Sequence, residues 1–290
     1  MEEVGEILRS FDKTELAAVR LGTDEGLPLM VVNAIGADLT AWRRVLVDVV
    51  RERPVIAWDH RGLHASGPPI SGRVDVEAHA EDAIGVLDHF DVQHCAIVAW
   101  SSGTRIALEI AGRYPEAVRC MFLVSGAHGS PWTALLRMEF GAVLPRLAAG
   151  ARFVAGPLGA AFRRLAERPE LPGLVRQSGM VGATADTQAI VELVRAIAEC
   201  DFALLLRAYG EVMSDVADDV LDEVRAPAAI VIGDRDPYTS RAAVEQLAQR
   251  LSDATVDVYE GATHYLPLEF PAKLSVDLRR FLAAHANGAR

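Results

Sequence analysis

The segment Cys95-Ala-Ile-Val-Ala-Trp-Ser-Ser-Gly-Thr-Arg-Ile-Ala-Leu108 joins two patterns that imply different backbones, with a serine at the join. Residues 95–100 are short, apolar and rich enough in β-formers for a strand buried on both faces. From Ser102 onward Ile106, Ala107, Ile110 and Ala111 recur at helical spacing. The connection between the two must be tight, and a serine on such a corner cannot pack inward. Only small residues two before and two after Ser101, here Ala99 and Gly103, let the strand and the helix approach each other. Ser102 fails the same test, because Trp100 would then occupy a position that has to be small.

This is the spacing of a nucleophile elbow, Gly-x-Ser-x-Gly, with Ala99 in place of the first glycine. Two further stretches supply partners. Ala229-Ile-Val-Ile-Gly-Asp-Arg-Asp-Pro237 is an apolar strand running into an acidic turn, and Val256-Asp-Val-Tyr-Glu-Gly-Ala-Thr-His264 is a strand that delivers a histidine. A serine hydroxyl is a weak nucleophile until a base takes its proton, and the base needs an acid to fix its tautomer. Ser101, His264 and either Asp234 or Asp236 can fill these roles, and alternation along the turn does not choose between the aspartates.

With Ser, Asp and His in that chain order, the sequence resembles the α/β-hydrolase superfamily over nearly its whole length apart from a central insertion. The resemblance implies a mostly parallel α/β sheet flanked by helices, with an all-helical cap inserted between strands six and seven. It divides the chain into a core of residues 1–130 and 215–290 and a cap of residues 131–214. It implies Asp236 as the acid, since the superfamily pattern is Gly-x-x-Asp counted from Gly233. It also implies an oxyanion hole built from the backbone N–H groups of Ile35 and Ser102. The loop Asn33-Ala-Ile-Gly-Ala-Asp-Leu-Thr-Ala-Trp42 stands where members carry His-Gly, and its wording is similar to that of bacterial 3-oxoadipate enol-lactonases. Asp59-His-Arg-Gly-Leu-His-Ala-Ser66 resembles the superfamily's Asp-x-Arg-Gly-x-Gly-x-Ser turn, with His64 for the second glycine, and Arg61 is expected to brace it. Trp100, His128, Phe140 and Phe153 are the candidate pocket residues.

Elsewhere, Gly5 to Phe11 and Thr14 to Leu21 alternate around Asp12-Lys13, which predicts an antiparallel hairpin. Residues 42–50 and 76–90 read as helices, 29–33, 55–59 and 118–125 as strands, and 240–251 and 272–285 as the closing helices. Residues 131–214 hold Leu, Ala, Gly and Arg in helical runs broken by Gly and Pro, without a strand pattern. Nine arginines there face eight acidic residues, so the net charge of -11 lies on the rest of the chain.

That charge argues against nucleic acid and anionic membrane surfaces as partners. No uninterrupted run of about 18 apolar residues suggests a membrane span, and the start lacks the basic region of a secretory signal, which places the protein in the cytoplasm. Cys95, Cys120 and Cys200 have no metal-type spacing, and no phosphate loop follows a strand, so no metal and no cofactor is expected. The function expected is that of a serine hydrolase cleaving a carboxylic ester or lactone through an acyl-Ser101 intermediate, with a small, largely apolar substrate. Enol-lactone, carbon–carbon bond or thioester hydrolysis could run on the same residues, and a non-catalytic binding protein is the alternative of a different class. Homo-oligomerisation stays open.

Overall fold

The computed structural model describes residues 5–127, 144–178, 181–182, 184–214 and 218–285. The chain enters through a hairpin, β1 (Gly5–Arg9) and β2 (Glu15–Leu21), paired antiparallel from Gly5↔Val19 to Arg9↔Glu15. Lys13 takes a left-handed φ of 69° in its turn. The remaining strands are β3 (Leu29–Val32), β4 (Val55–Trp58), β5 (Cys95–Trp100), β6 (Val118–Val124), β7 (Ala228–Gly233) and β8 (Ala254–Tyr259). The sheet order is β1-β2-β4-β3-β5-β6-β7-β8. β2 meets β4 antiparallel, and every pair from β4 through β8 is parallel.

Composition explains the parallel centre. β3, β4 and β5 are runs of apolar residues buried at every position, as strands covered on both faces require. Fully burying one of their Val, Leu, Ile or Met side chains contributes about 1.5–3 kcal/mol. The covering helices are α1 (Arg43–Leu46), α2 (Val76–His89), α3 (Gly103–Arg113), α4 (Leu144–Ala166), α5 (Leu171–Gln177), α6 (Thr187–Glu199), α7 (Phe202–Ser214), α8 (Asp218–Leu221), α9 (Arg241–Arg250), α10 (Leu266–Glu269) and α11 (Pro271–His285). Asp75, Asp186 and Ser240 cap α2, α6 and α9 by accepting first-turn N–H groups.

The stretch expected as one helix over 42–50 is broken. Leu39–Trp42 is a 3₁₀ turn, α1 lasts a single turn, and a second 3₁₀ turn covers Val49–Arg51. The break falls at Val47-Asp48-Val49-Val50, where stiff β-branched side chains and an aspartate disfavour continued helix. Between β6 and β7 the regular elements among the described residues are all helices, α4 to α8. Among the described residues no helix is long and apolar enough to cross a membrane.

Candidate active site

The four strands β5 to β8 run parallel, so the loops that follow β5, β7 and β8 open on one edge of the sheet. Ser101 stands directly after β5 with φ at 55°, a left-handed conformation that costs a non-glycine residue on the order of 1–3 kcal/mol. The surroundings hold it there. Its N–H donates to the Val124 carbonyl at 2.9 Å, and its carbonyl accepts the Thr104 N–H at 3.0 Å. A Cβ at Gly103 would lie 2.4 Å from both the Val32 and Asn33 carbonyl oxygens, so the helix can start this close to β3 only with glycine there.

β7 and β8 bring in the other two groups. Gly233 ends β7, and a Cβ on it would sit 2.2 Å from the Ala262 carbonyl oxygen. That close approach places the turn after β7 against the loop after β8. His264 Nε2 lies 2.7 Å from Ser101 Oγ, and His264 Nδ1 lies 2.9 Å from Asp236 Oδ2. The Asp236 side chain is fully buried, and its other oxygen accepts the Tyr238 and Thr239 N–H groups at 2.8 and 2.9 Å. With Oδ1 taken by the backbone, Oδ2 is left for the imidazole. Asp234 faces elsewhere: it is exposed, and its carboxylate accepts the Gly261 N–H at 2.7 Å.

Several residues without a motif of their own hold this arrangement. Trp100 Nε1 donates to the His264 carbonyl at 3.0 Å, so Trp100, expected in the pocket, is 98% buried beneath the histidine loop. The buried Glu269 carboxylate accepts Thr263 N–H (2.7 Å), Thr263 Oγ1–H (2.5 Å) and Gly182 N–H (2.7 Å). It thereby ties the residue before His264 to the segment between β6 and β7. Tyr238 and Tyr265 set their rings edge-on to His264 at centroid distances of 5.1 and 5.8 Å. Burial, with the nearby Asp236 charge, pushes the Tyr238 phenol above its usual range. No short-range pattern marks Trp100 or the Glu269 hold on Gly182, because these contacts span 164 and 87 residues.

The loop after β3 approaches from the other side. Ile35 N–H donates to Ser102 Oγ at 2.9 Å, with Ser102 buried. His60 Nε2 contacts the Asn33 carbonyl at 3.0 Å and His64 Nε2 the Gly36 carbonyl at 3.1 Å, so the turn after β4 supports this loop. Arg61, the residue expected to brace that turn, is completely buried and bidentate to Asp82. His128 and Phe140 lie outside the described residues, as does the side chain of Phe153. Among the described residues no group of three or more His, Cys, Asp or Glu is placed to hold a metal ion. Cys95, Cys120 and Cys200 are buried free thiols, and burial pushes the first two up to about 12.

A model of the alpha/beta hydrolase fold matches residues 28–271. A 2-hydroxymuconate semialdehyde hydrolase of Pseudomonas sp. strain CF600 is 35% identical over 105 residues, which is 35% of this chain and 37% of that protein. The match therefore spans little more than a third of that relative's length. The 3-oxoadipate enol-lactonase 2 of Acinetobacter baylyi is 22% identical over 250 residues, 84% of each protein. Among solved structures, the enol-lactonase from Burkholderia xenovorans LB400 superposes with a TM-score of 0.75 at 18% identity, covering 96% of this chain and 100% of that one. A likeness at that identity speaks for the fold.

Proposed function

Because the chain belongs to the α/β-hydrolase fold family, we propose that it is a serine hydrolase that cleaves a carboxylic ester or lactone through an acyl-Ser101 intermediate. The observation that carries this reading is the hydrogen-bonded line from Ser101 Oγ through His264 to the buried Asp236. In the forward step Oγ attacks the carbonyl carbon while His264 Nε2 takes the hydroxyl proton. Asp236 holds the proton of Nδ1 and stabilises the imidazolium that forms. The tetrahedral oxyanion is met by the Ser102 N–H and by the loop carrying Ile35. When the carbon–oxygen bond breaks, His264 returns the proton to the leaving oxygen. Water, deprotonated by His264, then attacks the acyl carbon, the acid departs and Ser101 regains its proton. The three side chains supply nucleophile, base and orienter themselves, so the sequence of steps calls on no cofactor.

Residues 1–130 and 215–290 form the core in this reading, and residues 131–214 form a cap over Ser101. The helices α4 to α7 and the hold of Glu269 on Gly182 support that division. A cap of this composition favours a small, largely apolar substrate. Hydrolysis of an enol-lactone is a second reading, supported by the likeness to the Acinetobacter enzyme and by the wording of residues 33–42.

The test is a fluorophosphonate probe followed by peptide mass mapping, with turnover measured on p-nitrophenyl esters, lactones and acyl thioesters. The expected adduct is on Ser101, with ester or lactone turnover above that of thioesters. A wild-type protein that takes no label and turns over none of these substrates would overturn the reading.

A further inference from the structure

The residue after the nucleophile in an elbow of this kind contributes its backbone N–H to the oxyanion, and its side chain is free to vary. Here that residue is Ser102, and its side chain has a specific position. Ser102 Oγ accepts the Ile35 N–H at 2.9 Å across 67 residues of sequence, and the serine is 99% buried. The two backbone donors expected to face the oxyanion are thus joined by one hydroxyl, which belongs to the residue of the first and is bound to the second. Its oxygen accepts, while its own hydrogen has no acceptor among the described residues.

From this geometry we propose that the Ser102 hydroxyl is a catalytic donor of the oxyanion hole, placed between Ile35 and the reacting oxygen. The proposal rests on the acyl-Ser101 reading above. In the resting protein the Ile35 N–H points at Ser102 Oγ, so it is engaged before substrate arrives. The hydroxyl restores the missing donor by rotating its hydrogen onto the developing oxyanion. A hydroxyl whose oxygen already accepts an N–H is polarised and donates more strongly, so Ile35 acts through Ser102. The arrangement is fixed in advance, because Gly103 lets α3 start against the Val32 and Asn33 carbonyls and His60 and His64 hold the loop by its Asn33 and Gly36 carbonyls. Donors set in place before the reaction are the ones that lower its barrier most.

The experiment compares Ser102→Ala, Ser102→Thr and wild type in steady-state ester hydrolysis and in inhibition by a trifluoromethyl ketone, whose adduct on Ser101 carries the same oxyanion. Ser102→Ala is expected to lose about a hundredfold in kcat, the scale of one oxyanion-hole donor. It should keep its KM within a few fold, and bind the ketone more weakly in proportion. Ser102→Thr, which keeps the hydroxyl, is expected to stay within about tenfold of wild type. A merely structural hydroxyl would alter thermal stability without this parallel between kcat and ketone affinity. If Ser102→Ala does not fold, Ser102→Cys retains the shape with a weaker donor, and the same parallel is expected. Kcat and ketone affinity unchanged or improved in Ser102→Ala would overturn the proposal and return the role to the Ile35 N–H. A wild type that neither takes a fluorophosphonate on Ser101 nor turns over ester overturns the acyl-Ser101 reading, and this inference falls with it.

Discussion

Two clusters of polar side chains sit just past the carboxyl ends of parallel strands, and they differ in how completely their hydrogen-bonding positions are filled. After β4, Arg61 is 0% exposed and each of its five N–H positions has a partner. Nε and Nη2 reach the two Asp82 oxygens at 2.7 and 2.6 Å, Nη2 also reaches Ser10 Oγ at 3.4 Å, and Nη1 meets Asp12 Oδ2 and the Arg73 carbonyl at 3.2 and 3.1 Å. The Ser10 hydroxyl closes the network onto Asp82. After β5, Ser101 is only partly buried, and its Oγ touches the one nitrogen of His264. Saturation makes a strut, and the open position is what the proposed acyl-Ser101 chemistry uses. The motif residues alone do not separate the two, since each cluster pairs a basic group in a loop after a strand with an acidic group.

The comparison breaks most sharply at Ser101. Replacing it with alanine is expected to reduce ester turnover on the order of 10⁶-fold, the scale of losing a triad serine in the serine-protease precedent. The thermal midpoint should stay within a few degrees. Ser101→Gly should go further and raise stability by about 1 kcal/mol, since glycine takes the left-handed φ without cost. Loss of the folded state in Ser101→Ala would mean that this cluster is a strut as well.

The next effect in size separates Asp236 from Asp234. Asparagine at 236 can still accept from Tyr238 and Thr239, which leaves its NH₂ facing His264 Nδ1 and forces the proton onto Nε2. Such a change costs on the order of 10⁴ in kcat in the serine-protease precedent. Asp234→Asn only alters a contact to the Gly261 N–H, and less than a tenfold change is expected, measured as kcat on folded variants at neutral pH. The opposite ranking would move the orienting role to Asp234.

At the strut the expected loss is of stability. Arg61→Met leaves Asp82 as a buried carboxylate without its cation and is expected to cost about 3–5 kcal/mol in urea denaturation. Kcat per folded molecule should stay within a few fold of wild type. A collapse of kcat at unchanged stability would show that Arg61 belongs with the chemistry.

Much of this was legible in the sequence, and the reason lies in distance along the chain. Strand runs, the elbow and the order Ser, Asp, His are local patterns, and a parallel α/β sheet brings its loop residues together once the strands are known. Asp236 needed the superfamily's spacing, because Asp234 satisfies the same local rule. The break at residues 47–50 is local but weak, a clash between an apolar helical period and β-branched residues. Ser102 Oγ on Ile35 and Glu269 on Gly182 span 67 and 87 residues, and a second serine or a glutamate in a closing turn carries no signal of its own.

The smallest effect comes from a pair that is neither saturated nor open. His60 and His79 are buried with ring centroids 4.8 Å apart, and among the described residues His60 Nδ1 and both His79 nitrogens lack a hydrogen-bond partner. Burial brings His60 down to about 4 and His79 well below its ordinary value, with the neighbouring Arg61 charge adding to the latter. An unfolded histidine titrates near 6.5, so below that pH the unfolded chain binds protons that the folded one refuses. Stability is therefore whole above about pH 6.5, and the His60 share of it is lost as the pH falls from there to about 4. By pH 5 His60 alone should remove about 2 kcal/mol. Denaturation at pH 7.5 and pH 5 is expected to show more than that loss in wild type, because His79 refuses a proton as well, and a loss near the His60 share alone in His79→Leu. The substitution removes the His79 share, since that refused proton is no longer bound in the unfolded chain, and leucine fills the space without polar atoms to bury. An equal drop in both proteins would place the acid sensitivity elsewhere in the fold.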